Sequence, residues 1–289
     1  MAETPVTQAQ FAVWTEAEGI QHRNHFHDPP RPDNPAKTMN WFEANRFCDW
    51  MSRIVPSLPG NILPAGYNLF CLPTEAEWEY ACRAGTETEY HSGDGEAALT
   101  EVGWYGEGWE RGSTHPVNGK QRNAFHLHDM HGNVWEWCHD LWDQSAYRSR
   151  RDGAPDPGWK ERRADWQSGL SSLVGEVDNR DRVLRGGSWL DSARWCRSAF
   201  RHWWRPGVRR GYGGFRVCLV RGLAAEGGAR EQNDQTEAPR GSGVEDRGTR
   251  SETDDAGGAG AEIHLPSEHI TGAAGRDFFP IPRPDEPPR

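Results

Sequence analysis

The chain has no run of about 18 apolar residues, the length a helix needs to cross a bilayer, so no segment reads as a membrane span. It has no visible leader: Met1-Ala2-Glu3-Thr4-Pro5 carries neither a basic flank nor an apolar stretch, and a cytoplasmic location is expected. Its six cysteines (Cys48, Cys71, Cys82, Cys138, Cys196 and Cys218) are scattered with no CxxC spacing. In a cytosolic chain they read as buried thiols, with disulfides as the alternative. A surplus of positive charge is missing too. Over 289 residues, 33 Lys and Arg face 43 Asp and Glu, a net charge of −10. Residues 222–289 hold 14 of the acids against 7 Arg, which leaves residues 1–221 at −3. Charge therefore gives no reason to expect nucleic-acid or membrane-surface binding. No internal repeat is present.

What the chain does contain is unevenly divided. Residues 222–289 are rich in Gly, Ala, Pro and acids, with almost no apolar periodicity before Phe278-Phe279. Such a segment buries too little surface to offset its ordering entropy, and a disordered tail is expected there. Residues 1–221 are expected to form one domain. Fifteen Trp beside 33 Gly suit short strands and long loops pinned by large aromatic anchors, not a helical bundle.

Three helices can be placed by their starts. Thr7 is a cap for a short helix with Phe11 and Trp14 on one side. Asn40 with Glu43 makes a capping-box start, after which Trp41, Ala44, Cys48 and Met51 recur on one helical face. Thr74 with Glu77 repeats the pattern for residues 75–84, with Trp78, Ala81 and Cys82 inward and Gly85 as the stop. Short apolar runs at Leu69 to Leu72, Val183-Leu184 and Phe215 to Val220 read as strands. Between 85 and 182 the sequence is loop-dominated, punctuated by Gly93, Gly106, Gly108, Gly112 and Pro116. Loops that long in a compact domain are functional or ion-stabilised as a rule. The class is α+β with a large irregular share.

Two stretches carry chemistry. In Asp129-Met130-His131-Gly132-Asn133-Val134-Trp135-Glu136-Trp137, two carboxylates seven apart enclose a glycine. Hard cations such as Ca²⁺ take several oxygens, and carbonyls of a Gly-bent loop can supply them between the carboxylates. By spacing alone the signal is weak, and acids satisfied within a loop are the plainer reading. The second stretch opens with Arg185-Gly186-Gly187-Ser188-Trp189, continues through Cys196-Arg197-Ser198-Ala199 and closes with Gly214-Phe215-Arg216-Val217. Between these anchors Trp, Tyr, His and Arg are crowded together, the residue types that dominate binding hot spots.

These stretches also carry a resemblance. Leu72-Pro73-Thr74-Glu75-Ala76-Glu77-Trp78-Glu79-Tyr80-Ala81, Gly132 to Trp137, Arg185 to Trp189 and Gly214-Phe215-Arg216 stand in the order seen in the formylglycine-generating enzyme (sulfatase-modifying factor) family. The run Thr4 to Phe11 is similar to the start of that family's first helix. The resemblance covers about residues 3–221. It implies a formylglycine-generating-enzyme-like C-type lectin fold, with short antiparallel strands, two to three helices and large irregular content. It also implies a structural calcium ion held by the side chains of Asp129 and Glu136 and the carbonyls of Gly132 and Val134. The family's other calcium loop would fall near 103–114, where no matching Asn/Asp pattern exists.

Catalysis is where the chain departs from the resemblance. Enzymes of the family oxidise a substrate cysteine with Cu(I) held by two cysteines five apart, just after the Gly-Gly-Ser motif. Here those positions are Asp191 and Cys196. One thiolate makes a poor cuprous site, so copper is not expected and Cys196 reads as a buried small hydrophobe. A formylglycine-type oxidoreductase acting on a protein cysteine would have to work through Cys196 and Ser188. His22, His25 and His27 could gather a metal, but a solvated loop is the plainer reading, and they lack the iron signature of the related ergothioneine-type sulfoxide synthases. His126, His128 and His131 read as packing or surface residues.

The segment from Arg185 to Val217 is also similar, spacing for spacing, to the variable region of diversity-generating-retroelement variable proteins, in which loop positions are randomised on a rigid scaffold. The matching positions hold Asp191, Ser192, Trp195, Phe200, His202, Trp204, Val208, Arg210, Gly211 and Tyr212, with Leu190, Trp203 and Arg205 alongside. Neighbours in an extended segment face opposite ways, so Trp203 and Trp204 are hard to justify as two core residues and at least one is expected to be exposed or ligand-facing. The expectation is a ligand-binding protein presenting 190–212 to a protein or other macromolecule. Trp204 and Tyr212 are expected to be anchors whose loss spares folding, and Arg185, Arg197, Arg201 and Arg216 to hold the scaffold.

Overall fold

Each expected helix start is a complete capping box. The Thr7 hydroxyl accepts from the Gln10 amide while the Gln10 side chain accepts from the Thr7 amide, opening α1 (Gln8–Ala17). Asn40 and Glu43 do the same for α2 (Trp41–Ile54), and Thr74 and Glu77 for α3 (Glu75–Arg83). These reciprocal bonds satisfy amides that a helix end leaves unpaired. Helix α3 stops at Ala84, which takes the left-handed conformation (φ 45°) one residue before the expected Gly85.

A computed structural model describes residues 1–21, 31–58, 60, 63–110, 112–148 and 179–221. His22, His25 and His27 and the tail 222–289 lie outside the described residues. Two to three helices were the expectation, but a fourth, α4 (Gly95–Val102), stands in the stretch read as loop. It buries only Leu99 and Val102, too few apolar positions to reveal a helical period.

The strands are β1 (Tyr67–Cys71), β2 (Gly103–Trp104), β3 (His131–Gly132), β4 (Trp135–Leu141), β5 (Arg182–Arg185), β6 (His202–Trp204), β7 (Gly213–Gly214) and β8 (Cys218–Arg221). The main sheet runs β6-β5-β4-β7, and β1-β8 and β2-β3 form two smaller ones. Most pairings are antiparallel as expected, but β4 with β7 and β2 with β3 are parallel. Strand β4 was hidden within the suspected cation loop because six of its seven residues are buried, which erases the alternation of a half-exposed strand. The expected strand at 215–220 is divided: β8 begins at Cys218, after Arg216 has turned inward to an ion pair with Glu136.

The sheet divides two apolar clusters. On one side Trp135, Trp137 and Leu184 meet the inner faces of α1 and α2, where Phe47 packs against Phe11, Trp14 and Phe215. On the other, Cys138 and Val183 meet Trp78, Ala81 and Cys82 of α3. All six cysteines are buried and unbridged.

Candidate ligand-binding surface and candidate calcium site

The segment after β5 is fixed from beneath. Gly186 and Gly187 both take positive φ, and a Cβ on Gly187 would lie 2.6 Å from the Cys196 sulfur, so the turn needs glycine. The fully buried Arg185 guanidinium donates to Glu79 (2.5 Å) and to the carbonyls of Ser198 (2.7 Å) and Phe200 (2.9 Å). Arg201 forks onto both oxygens of Glu75, at 2.5 and 2.7 Å. Bidentate guanidinium contacts of this kind set the path of a loop that has little regular structure. The scaffold role expected for Arg185, Arg201 and Arg216 is met; Arg197 is more exposed, bonding the Arg194 carbonyl at 3.0 Å.

On this support the thirteen candidate binding positions all reach the surface. Ser192, Trp203, Arg205 and Arg210 are exposed, and Leu190, Asp191, Trp195, Phe200, His202, Trp204, Val208, Gly211 and Tyr212 are partly exposed. The anchors among and after them, Cys196, Ser198, Gly213 and Gly214, are buried. Most of the aromatic positions form one row. Ring centroids run from Phe200 to Trp195 (4.7 Å), to His202 (5.9 Å), to Trp204 (5.9 Å) and to Tyr212 (5.6 Å). Trp204 also rests edge-on against Trp137 of the core at 5.5 Å.

Trp203 does not join that row. It sits opposite Val183 in the β5–β6 register, whereas His202 pairs with Leu184 and Trp204 with Arg182. Alternation therefore sends Trp203, 43% exposed, to the other face of the sheet. Conversely, the row gains a member that the sequence reading missed. Trp109, 67% exposed, lies 5.5 Å from Tyr212 and 5.8 Å from Trp189. Its loop is tied to the segment by the Gly106 amide on the Asp191 carbonyl (2.8 Å) and the Glu107 amide on the Trp189 carbonyl (3.0 Å). Closely spaced glycines at 106, 108 and 112 were the available signal, but they read only as loop punctuation.

At the centre, one Asp191 oxygen accepts both the Ser188 hydroxyl and the Trp135 indole N–H (2.8 Å). Burial raises its pKa, and the two hydrogen bonds partly offset that. Ser188 is fully buried beneath it. Cys196 is also fully buried, its thiol pushed well up first by burial and then by the neighbouring Asp191 charge. A thiol held in that state is a poor nucleophile and a poor ligand for a soft metal.

The suspected calcium residues lie next to Arg216. Glu136 accepts from Arg216 through both oxygens (2.7 Å each) and from the Trp78 indole N–H (2.7 Å), all fully buried. Of about four lone pairs on a carboxylate, that leaves roughly one for a cation. Asp129 is less committed. Its oxygens take the Asn118 amide (2.8 Å) and the Asn133 side-chain amide (3.1 Å), both neutral donors, and burial raises its pKa. Gly132 and Val134 are buried, and among the described residues no loop or turn amide donates to either carbonyl. A desolvated carboxylate with two buried carbonyls a few residues along the chain is a donor set that fits a hard cation. The Glu136 contribution is the weak part.

Comparison with known proteins gives the frame for these sites. A formylglycine-generating enzyme from Streptomyces coelicolor is 31% identical over 217 residues, 68% of this chain and 57% of that protein. The formylglycine-generating enzyme of Bos taurus is 28% identical over 181 residues, 57% of this chain and 38% of that protein. A serine/threonine-protein kinase, pkn1 of Chlamydia caviae, is 25% identical over 234 residues, 74% of this chain and 32% of that protein. The chain thus spans about a third of the length of the last two relatives. Among solved structures, Treponema denticola variable protein 1 superposes with a TM-score of 0.53 at 28% identity, over 74% of this chain and 82% of that one. PvdO from Pseudomonas aeruginosa shares the fold at a TM-score of 0.54 and 23% identity, over 74% of this chain and 77% of that one. The model of the sulfatase-modifying factor enzyme 1-like domain matches residues 1–221, and the chain belongs to that family.

Proposed function

We propose that this family member is a non-catalytic binding protein that presents residues 190–212 on a calcium-braced, lectin-type scaffold to a macromolecular ligand, most simply a protein. One observation carries the reading. All thirteen candidate positions reach the surface, while Arg185, Arg216, Gly186 and Gly187, which shape their path, are buried beneath. Variation is then freest at the exposed positions, while Trp195, Phe200, Trp204 and Tyr212 also pack against the core. Likeness to a variable protein supports the further reading that the segment is diversified by a retroelement. Neighbouring DNA tests it through a near-repeat of the 185–217 coding segment that differs chiefly at adenines.

Calcium in this reading is structural: bound by Asp129 and the carbonyls of Gly132 and Val134, with one lone pair of Glu136, it would neutralise a buried carboxylate. No helix among the described residues is long and apolar enough to cross a membrane, and buried, unbridged cysteines suit the cytoplasmic location we propose.

The named activity of the relatives favours a second reading, a formylglycine-type oxidoreductase acting on a protein cysteine. Against it stand the carboxylate at 191 and the buried, poorly acidic Cys196 thiol. The deciding experiment measures metal content and oxygen uptake with a cysteine-containing peptide in one preparation. The binding reading expects neither copper nor uptake. Stoichiometric copper with uptake that is lost in Cys196→Ser would overturn it.

A further inference from the structure

Charge on this face is lopsided. Between residues 190 and 212 six arginines stand against a single acid, Asp191, in a chain whose net charge is −10. Three of the six are committed to the scaffold: Arg201 to Glu75, Arg209 to Glu43 and, more loosely, Arg197 to Glu89 at 3.9 Å. Arg194, Arg205 and Arg210 are exposed and have no carboxylate in ion-pair reach among the described residues. Arg194 meets the aromatic row directly, and Arg205 and Arg210 stand close to its members in sequence. Arg194 lies over Trp195 with its guanidinium carbon 5.2 Å from the ring centroid, Arg205 follows Trp204, and Arg210 stands two residues before Tyr212. The one local acid does not offset them. Asp191 is partly buried and tied to Ser188 and Trp135, while Glu107 on the Trp109 loop is taken by His115 at 2.5 Å. Glu110 is the one other acid on that loop.

Aromatic rings beside arginines could also bind single-stranded nucleic acid, which needs open ring faces for base stacking. Here the rings pack edge to face. Interplanar angles are 84° for His202–Trp204, 77° for Trp204–Tyr212 and 72° for Trp109–Tyr212. Such pairs do not line up as parallel open faces for successive bases. What the segment offers is an uneven apolar strip with exposed arginines along the same stretch of chain, the pattern a complementary protein surface meets.

Resting on the binding reading above, we propose that the recognition surface is built from two segments, 105–110 and 190–212, and takes an acidic protein segment carrying apolar side chains. Its carboxylates meet Arg194, Arg205 and Arg210, and an apolar side chain packs against Trp109 and Tyr212. Neither Trp109 nor Arg194 lies among the positions expected from the variable-region spacing.

The test is fluorescence anisotropy of the full chain with three labelled probes: a peptide repeating Asp-Glu-Leu, one of equal length repeating Lys-Arg-Leu, and an oligo-dT strand. Only the acidic peptide is expected to bind, and raising salt from about 50 to about 500 mM should weaken it. Reversing charge in the Arg194→Glu/Arg205→Glu/Arg210→Glu variant should lower affinity by at least ~10-fold, and Trp109→Ala by ~5-fold, with thermal melts near the parent's. An Arg→Gln triple at the same positions, expected to be intermediate, serves if the reversal disturbs folding. Preference for the basic peptide or for oligo-dT, no binding of the acidic peptide, or indifference to the triple changes would overturn the proposal. If binding ignores those arginines yet falls in Trp195→Ala and Tyr212→Ala, this inference fails and the surface reading stands. If it ignores the aromatics as well, both fail.

Discussion

Arg216→Met removes the charge at the most heavily bonded point of the scaffold. The fully buried Arg216 guanidinium reaches both Glu136 oxygens at 2.7 Å, the His128 carbonyl at 2.9 Å, and the Ala2 and Glu3 carbonyls at 3.2 and 3.3 Å. Methionine keeps much of the volume but strands the Glu136 carboxylate with only the Trp78 indole as partner. Breaking a buried pair from one side costs about 3–5 kcal/mol. That is a large part of the ~5–15 kcal/mol of an ordinary domain. For a domain of this size it corresponds to roughly 6–20 °C in Tm. The double variant Glu136→Leu/Arg216→Met should regain much of the loss, because no charge is then left buried. Calcium adds a second arm: without the Arg216 charge, a cation at Asp129 and Glu136 should bind more tightly, so calcium should raise Tm more in Arg216→Met than in the parent. Urea and thermal unfolding with calcium or chelator measure all of this. A single-variant loss under about 1 kcal/mol, or strictly additive losses in the double, would refute the ion-pair argument. A Tm indifferent to calcium in both proteins would remove calcium from the scaffold.

Further outcomes are expected elsewhere. Burial holds the His91 pKa down to about 4, so the folded state keeps the ring neutral where the unfolded chain would protonate it. Its contribution to stability is therefore complete above the ordinary histidine value of 6.5 and is lost as pH falls toward 4, and His91→Asn should flatten that part of the stability–pH curve. Asp191→Cys restores a second thiol five residues before Cys196 and should create copper affinity that the parent lacks, read by metal analysis; copper in the parent would count for the oxidoreductase. A Cβ at Gly112 would sit 2.5 Å from the Trp189 ring and 2.6 Å from the Glu107 Cβ, so Gly112→Ala should cost about 1–3 kcal/mol and weaken ligand binding through Trp109. An unchanged melt would show that Gly112 is not packed against Trp189 and Glu107 as described.

What could be read beforehand divides along physical lines. The capping boxes at Thr7, Asn40 and Thr74 were legible because both halves of each lie three residues apart, within one turn of chain. Helix α4 was not, since two buried residues do not make a period. Strand β4 was not, since burial on both faces removes alternation. The Arg216–Glu136 pair joins residues 80 apart, and nothing local to either one announces it. The thirteen surface positions were legible through the spacing of their anchors, yet their arrangement was not. Only the register of β6 on β5 shows that Trp203 leaves the row, and only the ring contacts of Trp109 show that another loop completes it.

That arrangement also corrects the expectation that Trp204 and Tyr212 could be removed without touching the fold. Trp204, Tyr212, Trp195 and Phe200 all pack against the main apolar cluster, and a Cβ on Gly213 would meet the Trp204 ring at 2.6 Å. Each is therefore both face and support, and the thirteen positions should tolerate change unequally. Alanine at Ser192, Arg205 or Arg210, exposed and outside that packing, should shift stability by less than about 0.5 kcal/mol. Alanine at Trp204 or Phe200 should cost roughly 2–4 kcal/mol, less than a fully buried aromatic because part of each ring already faces solvent. Tyr212, whose ring is wedged between Trp204 and Trp109, should fall between the two groups. A set of single-alanine melts measures the gradient. If all thirteen variants melt together, the division between anchors and face is wrong; if the gradient appears, ligand choice is tuned most freely at Ser192, Arg205 and Arg210, and the aromatic row sets what kind of surface can be recognised at all.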